Sequence, residues 1–197
     1  MKNDHLDPRN MTAPFDVTGV ILETERLILR PWAQQDLLDF YAYTGDAAVA
    51  PGMGWTRVEN LETAAKIFPG YMGTKESFAL ELKETGEVIG DISVQPRPWG
   101  MYPLDRTLRG RELGFGIVSR CWGRGLMPEA VAAVLAHCFG ALGYDFVSCG
   151  HFRGNDQSRR VIEKCGFSHL FDAPHTLPNG KTFDISSYIQ YNPHKER

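Results

Sequence analysis

The 197-residue sequence lacks, first, any long apolar run: no stretch approaches the roughly 18 consecutive apolar residues that a membrane-spanning helix needs. It also lacks one-sided charge. The net charge is -3 at pH 7 and both signs are spread along the chain, whereas nucleic acid or an anionic membrane would each select a basic patch. Neither is expected as a partner. Cysteine is scarce: Cys121, Cys138, Cys149 and Cys165 show no CxxC pair and no zinc-ligand spacing. The six histidines form no HExxH arrangement, so no metal is expected. Three of the cysteines lie inside apolar patterns and read as reduced core residues of a cytoplasmic protein. Internal repeats and low-complexity linkers are missing, which leaves a single domain over 19–197.

What is present suits one sizeable core: 43% of residues are apolar and 23% charged. Residues 1–18 are polar, carry two prolines and lack the apolar centre of a secretory signal. They are expected as a flexible tail, with Met11 an alternative start. Residues 27–30 read as a strand closed by Pro31 and Trp32. Residues 34–43 read as a helix with Leu37, Leu38 and Tyr41 on one face. A turn-rich loop is expected at 45–54, then a helix at 61–72 weakened by Pro69 and Gly70. Strands at 77–83 and 87–95 flank the turn Glu84-Thr85-Gly86. A long loop at 96–110, with Trp99, Tyr102, Asp105 and Arg106, precedes a strand at 112–118. Residues 126–139 place Met127, Val131, Val134, Leu135 and Cys138 on one helical stripe. A strand at 144–152, a helix at 156–165 closed by Gly166, and a last strand at 183–191 follow. The order predicts a mixed α/β fold around one sheet, with a parallel crossover through the Leu126 helix.

The densest local signal is Arg120-Cys121-Trp122-Gly123-Arg124-Gly125, between a strand and that helix. Two glycines one residue apart let the backbone turn tightly and approach a ligand. The helix behind them offers unpaired amides and a positive dipole end, a site for a pyrophosphate. Pro128 is compatible, because a first-turn proline removes no needed donor. A plain glycine-rich turn without ligand stays open at this point. Two better-known phosphate loops are excluded, since neither the Walker lysine nor GxGxxG with its distant acid is present.

Four segments carry a resemblance: ETERLILRPW (23–32), GEVIGDI (86–92), ELGFGIVSRCWGRGLMPEA (112–130) and GNDQSRRVIEKCGF (154–167). In this order they resemble the GNAT superfamily of acyl-CoA N-acetyltransferases, and within it the branch of the ribosomal-protein-alanine N-acetyltransferases. The likeness runs over about 22–170. It implies a three-layer α+β fold: a mostly antiparallel sheet flanked by helices, with a parallel strand pair that splays. It also implies acetyl-CoA as co-substrate. The pantetheine arm would pair with the backbone of Ile117 and Val118, and the amides around Arg120, Gly123, Arg124, Gly125 and Leu126 would hold the pyrophosphate. Gly114 and Gly116 would mark a bulge or a close backbone approach. Asn155 is a helix cap on its own pattern. The resemblance adds that it bonds the pantetheine amides and that Ser158 sits beside the sulfur.

Amide formation needs a neutral amine, an activated carbonyl and a proton for the leaving thiolate. An α-amine, with a pKa of about 8, needs weak help, whereas lysine at about 10.4 needs a true base. The resemblance makes Glu112 the candidate base and Ser158 the candidate acid. The tyrosine that many relatives carry in the later helix is missing between Asn155 and Cys165. Tyr144 stands too early to replace it, and His151 is a second proton carrier or a structural histidine. Trp55 falls where relatives contact the acceptor, although Thr56 and Arg57 follow it in place of proline. The acceptor is expected to be an amine, on a protein N-terminus or on a small molecule such as a polyamine or aminoglycoside. Asp36, Asp39 and Asp46 would build an acidic acceptor cleft only if the early helix faces the site. A decayed, CoA-binding partner protein is the remaining reading. The 96–110 loop would cover the acceptor, cross to a second copy in a homodimer, or serve as a hydrophobic clamp.

Overall fold

The computed structural model describes residues 15–96, 108–176, 180 and 182–195. Most of the expected 96–110 loop, with Trp99, Tyr102, Asp105 and Arg106, lies outside the described residues.

Alternation along the strands sets the layers. In β3 (Ser77–Leu82), Phe78, Leu80 and Leu82 enter one apolar cluster and Ala79 enters a second, as a period of two requires. The first cluster meets Ala130, Val131, Val134 and Cys138 of α4 (Leu126–Gly140). The second meets Phe40 of α1 (Leu37–Thr44) and Ala64 and Phe68 of α3 (Leu61–Gly73). Helices therefore cover both faces of one sheet. Its strands are β1 (Leu22–Glu23), β2 (Leu27–Pro31), β3, β4 (Val88–Gln95), β5 (Gly110–Ile117), β6 (Phe146–Phe152), β7 (Ser168–Thr176) and β8 (Thr182–Tyr191). They lie in the order β1-β2-β3-β4-β5-β6-β8-β7, and β5–β6 is the parallel pair. The rest of the ladder is antiparallel.

The parallel pair comes apart. Pairing runs from Gly110 opposite Phe146 to Leu113 opposite Cys149 and stops there. Beyond that point β5 stays tied to β4 as far as Ile117, and β6 stays tied to β8 as far as Phe152. Each strand is thus held from outside while a gap opens between them. The α4 crossover and the short helix α5 (Asp156–Lys164) border this gap.

Several expectations are corrected. Phe15 and Val17, assigned to the tail at 1–18, are core residues: Phe15 packs edge-on against Phe78, and the Val17 amide donates to the Lys75 carbonyl. The early helix begins with a 3-10 turn, and its buried side is Asp36, Phe40 and Tyr43. Leu38 is 66% exposed there, because the amphipathic stripe follows the aromatic residues. The 45–54 loop contains a one-turn helix, α2 (Ala50–Met53), started by Pro51. Strand β7 went unread: it is a sheet edge, polar in sequence and carrying Pro174, and an edge strand needs little apolar pattern. At Gly114 and Gly116 the β4–β5 register is continuous, with no bulge.

Candidate functional site

Two cavities meet where β5 and β6 part. The first, about 240 Å³, is walled by Phe115, Gly116 and Ile117 of β5, by the turn before α4, and by Asn155, Gln157, Ser158, Arg160, Val161 and Lys164 around α5. The second, about 230 Å³, holds Gln95, Glu112, His151, Phe152, His175 and Ile185. Gly52, Met53, Phe115 and Ser158 line both.

Backbone direction explains what the first cavity offers. The Val118 amide donates to Ile89 on the β4 side, and the Arg109 carbonyl accepts from Asp145 on the β6 side. Alternate residues face alternate edges, so Phe115 and Ile117 present their polar groups to the open gap. The expectation for Val118 is therefore revised: its amide faces β4, and its carbonyl accepts from Cys121. The Ile117 carbonyl accepts from the Trp122 indole at 2.9 Å, which pins the following turn against the strand.

That turn narrows the supply of amides. Cys121 and Trp122 donate theirs to Val118 and Ser119 in a 3-10 turn. The Ser119 amide goes to Asp46 at 2.8 Å. Burial pushes the Asp46 carboxyl up, but the amides of Ser119, Ala48 and Val49 outweigh it and hold it below its ordinary value. Gly123 and Gly125 take left-handed φ of 74° and 76° and line the cavity together with Leu126 and Met127. Gly125 caps α4 and supplies no side-chain hydrogen bond. The amides of Leu126 and Met127, at the start of a 15-residue helix, thus lie at the cavity without a side-chain cap, whereas Pro128 has no N–H and the Glu129 amide donates to Gly125. The side chains of Arg120 and Arg124 point elsewhere, to Glu87 and Glu84.

Asn155 does two jobs. Its side-chain oxygen accepts the Ser158 amide at 3.1 Å as the cap of α5, and its side-chain nitrogen donates to the Gly52 carbonyl at 3.4 Å. Across the gap, Glu112 stands on the last stretch of β5 that still has a strand on either side. His151 is 9% exposed. Its Nδ1 lies 3.0 Å from the Phe152 carbonyl, which only accepts, so Nδ1 carries a proton, and its Nε2 lies 3.4 Å from the Tyr188 hydroxyl. Burial, with Glu112 nearby, pushes the Cys149 thiol well up, so it is no nucleophile.

Ile117, Gly123, Gly125, Leu126, Asn155 and Ser158 come together on the first cavity, and Glu112 on the second. Tyr144 does not reach either; it is buried beside Arg111. Trp55 packs edge-on against Tyr43 outside both cavities. Asp36 pairs with Arg30, Asp39 accepts the Val88 amide and Asp46 the Ser119 amide, so these three form no acidic cleft. Phe115, Gly52 and Met53 were not expected. Phe115 had a signal, its place between two glycines on the strand, but nothing local marks Gly52 and Met53. Arg160 and Lys164, one helical turn apart, put positive charge on the first cavity. Among the described residues no cluster of His, Cys, Asp and Glu suits a metal ion, and no helix is long and apolar enough to cross a membrane.

Comparison with known proteins locates this geometry. A family model for the acetyltransferase (GNAT) domain matches residues 26–168. The uncharacterized N-acetyltransferase YoaA of Bacillus subtilis (strain 168) is 27% identical over 179 residues, 88% of this chain and 97% of that protein. Two solved structures share the fold. A ribosomal-protein-S5-alanine acetyltransferase from Vibrio fischeri superposes with TM-score 0.69 at 19% identity, over 90% of this chain and 100% of that one. A spermidine N-acetyltransferase from Vibrio cholerae, in complex with CoA and spermine, gives 0.67 at 15% identity, over 86% and 97%. The family model spans every residue that walls the first cavity and all but His175 and Ile185 of the second. On that match the chain belongs to the GNAT acetyltransferases, a family that uses acetyl-CoA as its acyl donor.

Proposed function

We propose that the protein acetylates a primary amine by direct attack on the thioester of acetyl-CoA in a ternary complex, and that the amine is a protein or peptide N-terminal α-amine. The observation that carries the reading is the meeting of two cavities at the parted strands, with Ser158, Phe115 and Met53 common to both. Donor and acceptor entering from opposite sides would face each other there, and holding two reactants in register is the largest gain open to such a site.

The first cavity fits the donor by its own chemistry. Phe115 and the Ile117 amide offer a strand edge for the amides of the pantetheine arm, the Ile117 carbonyl being already engaged by Trp122. The amides of residues 123–127 suit a pyrophosphate, and Arg160 and Lys164 add charge for phosphate groups. Asn155 spends one side-chain N–H on the Gly52 carbonyl and has the second to donate. Acetyl-CoA supplies the activated carbonyl and the thiolate leaving group. Ser158 would hydrogen-bond the sulfur as negative charge develops on it. Glu112, facing the second cavity, would accept the amine's proton through a water as the C–N bond forms and the C–S bond breaks.

The α-amine is favoured on two grounds. It reaches the site partly neutral at pH 7, so one carboxylate suffices. The acids on which a cleft for a polycation depended are committed to Arg30 and to backbone amides. The test is thiol release from acetyl-CoA with a panel of acceptors: peptides with free and blocked N-termini, polyamines and aminoglycosides. Peptides with a free N-terminus are expected to turn over, and the blocked ones not. Preference for a polyamine would overturn the α-amine, and CoA binding without turnover of any amine would leave a binding protein.

A further inference from the structure

Thr24 and Arg26 belong to the first of the four family-like segments, yet neither lines a cavity. They reach the phosphate loop from the far side of the chain. The Arg26 Nε and terminal nitrogen meet one Glu129 oxygen at 2.7 and 2.6 Å. The Arg26 amide and the Thr24 hydroxyl donate to the other Glu129 oxygen, at 2.8 and 2.5 Å. The second terminal nitrogen of Arg26 donates to the Arg124 carbonyl at 2.9 Å. Burial works against the Glu129 anion, but Thr24 and Arg26 outweigh it and hold the carboxyl below its ordinary value.

Two consequences follow from elementary geometry. In a trans peptide the C=O and the next N–H point in opposite directions, and no peptide among the described residues is cis. Drawing the Arg124 carbonyl to Arg26 therefore turns the Gly125 N–H away from Arg26, and Gly125 lines the first cavity. Glu129, moreover, lies in the first turn of α4, next to the amides that would receive an anion. Left bare, its charge would oppose an anion bound at those amides.

We propose that Arg26 is a positioning residue for the phosphate loop: it orients the Arg124–Gly125 peptide and neutralises Glu129 beside the anion site. The inference rests on the reading of the first cavity as an acyl-CoA site. It makes Arg26 matter for the phosphate end of the donor and not for its arm.

The experiment compares CoA, titrated by calorimetry, with pantetheine, which has the arm but no phosphate, titrated by ligand-observed NMR. Arg26→Ala should weaken CoA tenfold or more and change pantetheine less than twofold. Arg26→Lys keeps the charge without the fork and should fall between wild type and Arg26→Ala. Adding Glu129→Gln to Arg26→Ala should restore CoA affinity at least threefold, because the bare charge is gone. Equal losses for the two ligands would reduce Arg26 to a fold contact, and unchanged CoA affinity in both folded variants would overturn the proposal outright. A double variant no tighter than Arg26→Ala would remove the neutralising role. Wild type that fails to bind CoA would take down the acyl-CoA reading itself, and this proposal with it.

Discussion

Ser158 borders both cavities because Asn155 caps α5 and fixes where its first turn begins. A hydroxyl at that junction matters most when charge develops on the leaving sulfur, a transition-state interaction. Ser158→Ala should therefore lower kcat by about tenfold or more while the KM for acetyl-CoA changes little. Steady-state kinetics with the acceptor found by screening decide this; a raised KM at unchanged kcat would make Ser158 a binding residue. Glu112 calls for a different measurement. If it takes the amine's proton, Glu112→Gln should lose most activity at low pH, where the free amine is scarcest. The variant should recover toward wild type above the acceptor's pKa. Parallel pH profiles offset by a constant factor would assign Glu112 to orientation alone.

Strand β5 has to serve two neighbours that sit very close. A Cβ at Gly116 would come within 2.1 Å of the Tyr43 hydroxyl and 2.9 Å of the Met53 sulfur. Tyr43 cannot retreat easily: its hydroxyl donates to the buried Asp91 at 2.8 Å, and Asp91 also receives Tyr71 and Ser77. At Gly114 the obstacle is only the Ser93 Oγ at 2.7 Å, the tip of a side chain that can rotate. Gly116→Val should thus cost roughly 1–3 kcal/mol of stability, the range for overpacking, and lower Tm by several degrees. Gly114→Ala should cost clearly less. Thermal melts of the two variants settle the matter, and equal falls would mean that the Tyr43–Asp91 pair yields as readily as Ser93. At both glycines the chain's own side chains already come close to the backbone, beside the cavities that Gly116 and Gly114 line.

Across the whole molecule, carboxylates tie together segments far apart in the chain, among them Asp46, Glu129 and Asp145. Asp46 holds the turn at Ser119, Glu129 holds Arg26, and Asp145 holds Arg109 and Lys195. Burial pushes each of them up, and hydrogen bonds and charges pull each below its ordinary value. A depressed native pKa means that the unfolded chain binds protons more readily, so this stability is present above the ordinary values of 3.8 and 4.5 and is lost as pH falls through the native ones. Asp91 has the opposite sign: burial raises it, and its contribution grows as the solution becomes more acid. With these three ties, and the lowered carboxyls of Asp16 and Asp172, against Asp91, the urea midpoint should fall steadily below about pH 4. The fall should be shallower in Glu129→Gln. A midpoint constant from pH 6 to pH 3 would contradict the assignment.

Local pattern decided a great deal. The apolar stripe of α4, the left-handed closure of α5 at Gly166 and the hairpin at Gly86 each depend on residues a few positions apart, and so they were legible in the sequence. So was the RxxGxG turn, since its geometry needs only two glycines and a helix behind them. On α1, Leu37 and Tyr41 pack against the core as expected, but Leu38 does not, because Phe40 and Tyr43 take the deepest places through partners in α3, β4 and the far end of β5, none of them nearby in sequence. Strand β7 escaped because an edge strand is specified by its partner β8 more than by its own side chains. Which amides stay free for a ligand depended on Ile89, Val118 and Asp46 claiming the others. The parting of β5 from β6 has the same character. It arises because β4 and β8 hold the two strands from outside, and such long-range pairing is written only in the assembled sheet.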